Sequence, residues 1–285
     1  MIFKSYNSNK TIISFELFPP RTTKGIETLK DRLPHLANLN PDFITVTYGA
    51  MGTTQANTLE IAAYIKTVLN IDVAHHLTCV GTTHQSINTI LATMLEYDIN
   101  NIVALRGDPP EGTQTSTVTS SDFNYAKDLV EHIKQSDKFS VAVAGYPEKH
   151  VEAISMTSDI QNLKRKVDAG ADAIITQLFY DNSDYFNFVD ICRASGIDIP
   201  IIPGLMPILD VHQIQRITSM CGAQIPDRLL QNLIKTEGNP AATHRLGIDH
   251  TINQAAELKT RGVPGIHFYV LNQYFHIAEI MAEIT

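Results

Sequence analysis

At 285 residues, 44% hydrophobic and 18% charged, the chain has the apolar content of one large globular domain and is too rich in it to stay disordered. Its 30 acidic against 22 basic residues leave a formal charge of -8, which disfavours a surface built to neutralise nucleic-acid phosphates. Cys79, Cys192 and Cys221 have no CxxC spacing, no apolar run reaches the ~18 residues of a bilayer span, and the polar opening MIFKSYNSNK has no signal-peptide core. The expectations are therefore a cytoplasmic protein with no disulfide framework, no zinc site, and no nucleic-acid or membrane partner.

Eight short β-branched runs follow one another: TIISFEL from Thr11, DFITVTY from Asp42, IDVAHHLTC from Ile71, NIVALRG from Asn101, FSVAVAGY from Phe139, ADAIITQLFY from Ala171, IPIIPG from Ile199 and GIHFYVLN from Gly265. Most are separated by segments of helical apolar spacing, such as Leu29, Leu33 and Leu36, or Ile90, Met94 and Tyr97. The βα order implies a parallel sheet. Units of roughly thirty residues, eight in number, fit a closed eight-fold (β/α) TIM-type barrel better than an open doubly wound sheet. The stretch from Pro207 to Pro264 is long enough for extra helices before the last strand. No linker or low-complexity tract divides the chain, so residues 1–285 read as a single barrel domain.

In such a barrel, reactive groups gather at the C-terminal ends of the strands. Alternation puts Ser14 and Glu16 on one face of the first strand and Phe15 and Leu17 on the other, so Glu16 points inward. A carboxyl group inside a barrel is costly unless paired or protonated, and burial is expected to raise its pKa toward neutrality, which suits a general acid; a structural salt bridge is the alternative. Thr47 and Tyr48 end strand two, His76 and Thr78 strand three, Arg106, Gly107 and Asp108 strand four, Tyr146 strand five and Gln177 strand six. Gly107 lets the backbone approach a ligand, while Pro109 and Pro110 hold the following loop. The tripeptide Arg106-Gly107-Asp108 is weak as an adhesion signal, because it follows a buried strand.

Further along, Asp159, Asn162 and Lys166 share one helical face and Ile160, Leu163 and Val167 a neighbouring apolar one. That polar face could receive phosphates or ribose hydroxyls, or be an ordinary solvated surface. His75, His76 and His150 stand out among the histidines, but no HExxH or comparable spacing supports a metal. Neither GxGxxG after a strand nor GxxxxGK[ST] occurs, so a Rossmann or P-loop site is not indicated.

Several of these stretches form a known pattern. Ser14-Phe15-Glu16-Leu17-Phe18-Pro19-Pro20-Arg21, Val46-Thr47-Tyr48-Gly49-Ala50, His76-Leu77-Thr78-Cys79, Leu105-Arg106-Gly107-Asp108, Tyr146-Pro147-Glu148-Lys149-His150, the run Asn162 to Ala171, and Thr176-Gln177-Leu178-Phe179 occur in order along nearly the whole chain. Together they resemble the bacterial methylenetetrahydrofolate reductase family, and the chain looks like its catalytic barrel without the regulatory domain of eukaryotic relatives.

The resemblance implies noncovalent FAD contacted by Tyr48, Ala50, His76, Arg106, Gly107, Asp108, Ala126, Tyr146, His150, Ala153, Asp159, Asn162, Arg165 and Lys166. It places Thr47 and Gln177 near the nicotinamide or pterin, makes Gln213 a substrate contact, assigns Glu16 as the catalytic acid, and gives Asp108 the pterin amino groups and an electrostatic influence on the flavin. The implied reaction is ping-pong. NADH or NADPH reduces FAD and leaves, then 5,10-methylenetetrahydrofolate takes its place; Glu16 protonates the bridging nitrogen and the resulting iminium accepts hydride to become the methyl group. Such an activity would supply methyl groups for methionine synthesis, and relatives form homo-oligomers. One departure stands out: where the family pattern reads Leu-Asn-Arg, this chain has Leu271-Asn272-Gln273. Gln273 lacks the bidentate charge of Arg, so recognition of the folate glutamate tail is expected to be weaker or differently organised. The competing readings are another pterin- or flavin-binding barrel, such as a pterin methyltransferase or a proline dehydrogenase-like enzyme, and a noncatalytic binding barrel.

Overall fold

The computed structural model describes residues 1–6, 10–48, 53–107 and 121–284, with the side chains of 53–56 left aside. Each β-branched run becomes a strand: β1 Ile12–Leu17, β2 Phe43–Val46, β3 Asp72–Thr78, β4 Asn101–Leu105, β5 Ser140–Gly145, β6 Ala173–Leu178, β7 Ile201–Leu205 and β8 Gly265–Tyr269. All pair in parallel, in sequence order, and β8 returns to β1 through Ile12↔Gly265 to Glu16↔Tyr269, closing the barrel. A register shift interrupts the β6–β7 ladder between Ile175 and Leu178.

Helices α1 Thr23–Ala37, α2 Thr53–Thr67, α3 His84–Glu96, α4 Ala126–Ile133, α5 Met156–Asp168 and α6 Asn182–Ala194 follow the first six strands. The expected insertion after β7 is present as α7 Val211–Cys221, α8 Asp227–Lys235 and α9 Pro240–Thr260, and α10 Phe275–Ile284 follows β8. Side-chain caps fix where several helices begin: Thr22 accepts from Gly25, Thr83 from Ser86, Ser155 from Ser158, and Asp210 from Gln213. Each cap satisfies a backbone N–H that the helix itself leaves unpaired.

Alternation splits every strand between two cores. The outward residues, among them Phe15, Leu17, Ile44, Val46, Leu77, Ile102, Val141, Val143, Ile174 and Phe268, pack against the helices. Leu29, Leu33 and Leu36 of α1 join them, as do Met94 of α3 and Ile160 and Leu163 of α5, whereas Tyr97 lies just past α3 and is exposed. The inward residues Phe43, Ala74, Val103, Ala142, Ala173, Ile175 and Ile202 form a smaller interior cluster with Phe3 and Tyr6. The N-terminal segment therefore seals the floor of the barrel. The Ile2 N–H donates to Asn101 Oδ1 (2.8 Å), and Asn101 in turn donates to the Val73 carbonyl and accepts from Ser140 Oγ. With the floor filled, the polar inward side chains lie toward the opposite end, the mouth.

Candidate active site

Directly above the interior cluster, inward side chains turn polar. Glu16 lies there, as alternation requires, but its partners are imidazoles rather than Arg or Lys. Its Oε2 is 3.2 Å from His267 Nε2 and 3.3 Å from His76 Nε2, and it accepts from Thr45 Oγ1 at 3.3 Å. The His76 contact is close but misaligned, and neither nitrogen of that ring has a hydrogen-bond partner among the described residues. The expectation of a raised Glu16 pKa is overturned. Burial does push the carboxyl group up, but His76 and His267 together outweigh it and hold the group below the usual carboxylate range. Tyr269, the other inward side chain near the end of β8, lies edge-on to His267 and donates to the Thr176 carbonyl at 2.7 Å. Gly204 makes room for it: a Cβ there would stand 2.8 Å from Tyr269 Cε2 and 2.3 Å from Thr176 O.

Beside this centre, between the ends of β4 and β5 and the helices that follow, lies a cavity of about 380 Å³. Arg106, Ala126, Tyr146, His150, Ala153, Asp159, Asn162, Arg165 and Lys166 all line it, so nine positions singled out in the sequence converge. Lys166 Nζ donates to the Ala144 carbonyl (2.6 Å) and lies 6.0 Å from the centroid of the Tyr146 ring; burial brings its pKa down to about 8. Arg165 donates to Asn162 Oδ1, the Asp159 carboxylate accepts the His150 N–H, and Lys149 ties the loop by donating to the carbonyls of His150 and Ala153. Arg106 forms a two-point pair with Glu152 at 2.6 and 2.9 Å. Cations beside aromatic and hydroxyl-binding side chains suit a nucleotide phosphate and ribose. The cavity is at the small end of ligand pockets (roughly 300–1,000 Å³), a size suited to part of a nucleotide rather than a whole dinucleotide.

Gly107, directly after Arg106, has φ +82° and a would-be Cβ 2.8 Å from Thr78 Cβ. Only glycine lets the backbone lie so close to Thr78. Thr47 follows β2 and its carbonyl accepts from Thr58 Oγ1; Gln177 ends β6 beside Tyr146 and Glu148; Gln213 lies in the first turn of α7. Gln273 follows the left-handed pair Leu271 and Asn272 and donates its N–H to the Val270 carbonyl. Ala50 and Asp108, with Pro109 and Pro110, lie outside the described residues.

Two of the singled-out side chains turn away from the mouth. His75 projects outward into the helix-facing layer, where burial drives its pKa down to about 3 and neither nitrogen has a partner among the described residues. Its candidacy as a functional histidine is withdrawn. The Tyr48 ring meets His75 edge-on and its hydroxyl is buried without a partner among the described residues, so any ligand contact falls to its backbone. Conversely, sequence reasoning missed His267, Ser14, Lys127 and Glu152. His267 could have been found, since alternation applied to GIHFY puts Gly265, His267 and Tyr269 on one face; Glu152 and Lys127 belong to a loop and a helix start that carry no such period.

A closed parallel barrel with a titratable cluster at its mouth and a cation-lined cavity beside it has the layout of a barrel enzyme with a site for an anionic ligand. A family model described as Methylenetetrahydrofolate reductase matches residues 2–285, and the chain belongs to that family. It is 38% identical over 261 residues to the 5,10-methylenetetrahydrofolate reductase of Escherichia coli (strain K12), covering 92% of this chain and 86% of that protein. It is 39% identical over 274 residues to methylenetetrahydrofolate reductase (NADH) 1 of Arabidopsis thaliana, covering 92% of this chain and 46% of that protein; the chain thus spans about half the length of the plant relatives. The fold is shared with a Clostridium thermocellum protein that binds two copies of 5-methyl-5,6,7,8-tetrahydrofolic acid (TM-score 0.65, 15% identity, 98% and 95% of the two chains). It is shared more loosely with a Xanthomonas albilineans dihydropteroate synthase in complex with 7,8-dihydropteroate (TM-score 0.52, 9% identity, 96% and 92%).

Proposed function

We propose that this chain reduces 5,10-methylenetetrahydrofolate to 5-methyltetrahydrofolate, using a reduced nicotinamide dinucleotide in a ping-pong sequence at one site. When bound, FAD supplies the hydride relay between the two substrates. The observation that carries the reading is the position of Glu16: an inward carboxyl group at the mouth, beside a cavity whose Arg106, Arg165 and Lys166 suit the phosphates of a dinucleotide. Relatives named as NADH enzymes support a pyridine nucleotide as reductant.

In this reading Lys166, Asn162, Arg165 and Asp159 would hold the phosphate and ribose portion of FAD. Gly107 would let a ligand approach the backbone, Thr47 and Gln177 would contact the pterin or nicotinamide, and Gln213 would contact the substrate. Glu16 gives a proton from its carboxyl oxygen to the bridging nitrogen of the folate, directly or through one water, which opens the five-membered ring to the iminium that accepts hydride. That step needs a protonated Glu16, and the free site holds it ionised, so substrate binding must bring a proton with it or draw one from a neighbour. Asp108, outside the described residues, remains the proposed partner of the pterin amino groups.

Stopped-flow measurement of the two half-reactions tests this. Glu16→Gln should leave NADH-driven bleaching of bound FAD within about twofold of the parent while slowing the folate half-reaction by about 100-fold or more. Equal folate rates in mutant and parent would remove Glu16 from the role; a protein that binds no FAD would overturn the reading and favour a pterin methyltransferase.

A further inference from the structure

His267 is the side chain for which the family comparison gives no role and the geometry does. It is fully buried, as is Ser14 on the neighbouring strand, and both of its nitrogens are engaged: Nε2 faces Glu16 Oε2 at 3.2 Å, and Nδ1 faces Ser14 Oγ at 2.8 Å. Two deeply buried histidines away from Glu16 provide an internal contrast. His75 and His276 have no partner for either nitrogen among the described residues, and burial drives them down to about 3 and about 4, as expected of neutral rings packed in a core. The two-sided bonding of His267 needs a different explanation.

We propose that His267, held by Ser14, is a positioning residue that stores the proton Glu16 delivers to its substrate. The proposal rests on Glu16 acting as an acid toward folate. An ionised carboxylate only accepts, so in the resting site, with Glu16 charged, the 3.2 Å contact requires a hydrogen on Nε2. Nδ1 can then either accept from the Ser14 hydroxyl or donate to its oxygen, because a hydroxyl does both. The imidazole can therefore take up a second proton without losing either bond. From that state, the Nε2–H bond breaks and an Oε2–H bond forms; imidazolium and carboxylate neutralise each other, and Nδ1–H stays on Ser14. After Glu16 has given this proton to the folate nitrogen, its carboxylate faces a bare Nε2, and a proton from water at Nε2 restores the starting pair. The groups facing Glu16 from the other packed strands among the described residues are Thr45 of β2, His76 of β3 and Tyr269 of β8. Thr45 does not titrate in this range, Tyr269 is fixed on the Thr176 carbonyl, and His76 is not aligned for transfer.

The test reads titrations on the full chain without substrate, by carbon NMR of labelled glutamate carboxyls and nitrogen NMR of labelled histidines, with the Glu16 signal assigned by its loss in Glu16→Gln. In His267→Gln, a neutral donor that cannot store a proton, the Glu16 midpoint should rise by about one pH unit or more. In Ser14→Ala, the His267 midpoint should fall by a similar amount, because its second N–H would be buried without an acceptor. Both variants should slow the folate half-reaction about tenfold or more, and by more than they slow NADH-driven flavin reduction. A Glu16 midpoint in His267→Gln equal to the parent's would overturn the proposal; should that variant not fold, an unmoved His267 midpoint in Ser14→Ala does the same. If instead Glu16→Gln leaves the folate half-reaction intact, it is the function assigned to Glu16 that fails.

Discussion

Lys166 and Glu148 show how burial at the rim turns single side chains into pH sensors. The Lys166 ammonium group is brought down to about 8 by burial, with the Asp159 carboxylate opposing the shift. Its folded pKa lies below its unfolded one, so the charged form costs the fold at neutral pH, and stability is gained as pH rises from about 8 toward 10.5. An anionic ligand reverses the preference by favouring the cation. FAD affinity, followed by calorimetry, should therefore fall about tenfold or more between pH 7 and pH 9.5, and Lys166→Met should remove most of that dependence. Glu148 shifts the other way. Burial pushes its carboxyl group up to about 7 and the Asp184 and Asp181 carboxylates add to this, although one oxygen accepts the Gln224 N–H at 2.9 Å. A raised folded pKa means stability that is complete below the unfolded value and lost as pH climbs through about 7. Urea midpoints should decline from pH 5 to pH 7.5 in the parent and stay flatter in Glu148→Gln. The two residues also differ in legibility: Lys166 could be placed on a polar helix face by spacing alone, whereas Glu148 depends on Asp181, Asp184 and Gln224 from other elements, which no local pattern reveals.

Strands were easier to recognise than their neighbours because β-branched runs bounded by polar residues have few other uses in a chain of this composition. Their ends were less legible, since pairing stops where a partner strand stops: β2 keeps only Phe43–Val46 of its longer run, leaving Thr47 and Tyr48 beyond it. The same limit hid the orientation of Tyr48, which leaves the alternating geometry just before its side chain would be placed. Element packing also fixes small residues that look interchangeable in sequence. At Gly204 on β7 any side chain would meet the Thr176 carbonyl and the Tyr269 ring. Gly204→Ala should cost about 1–3 kcal/mol in urea unfolding and weaken the Tyr269 hydroxyl bond to Thr176, moving the ring that abuts His267.

At the scale of the molecule, the repeat of roughly thirty residues was enough to anticipate a closed barrel, and the length after Pro207 enough to anticipate α7, α8 and α9. The sealed floor was not anticipated. The opening residues read as polar, and only the assembled interior shows Phe3 and Tyr6 filling it, with Asn101 receiving the Ile2 N–H. The site was legible where one strand carries its own pattern, as with Glu16, and illegible where distant segments meet, as with His267 against Glu16 or Glu152 against Arg106.

The seam between β1 and β8 has a bearing on biosynthesis. Glu16 and His267 are 251 positions apart, and the same seam is stitched by Asn272, which both donates to and accepts from the Phe18 backbone. A nascent chain would carry its carboxylate through most of translation without His267 beside it. Only when the last strand leaves the ribosome and zips against the first does that partnership come into being, so barrel closure and assembly of the acidic centre are one event.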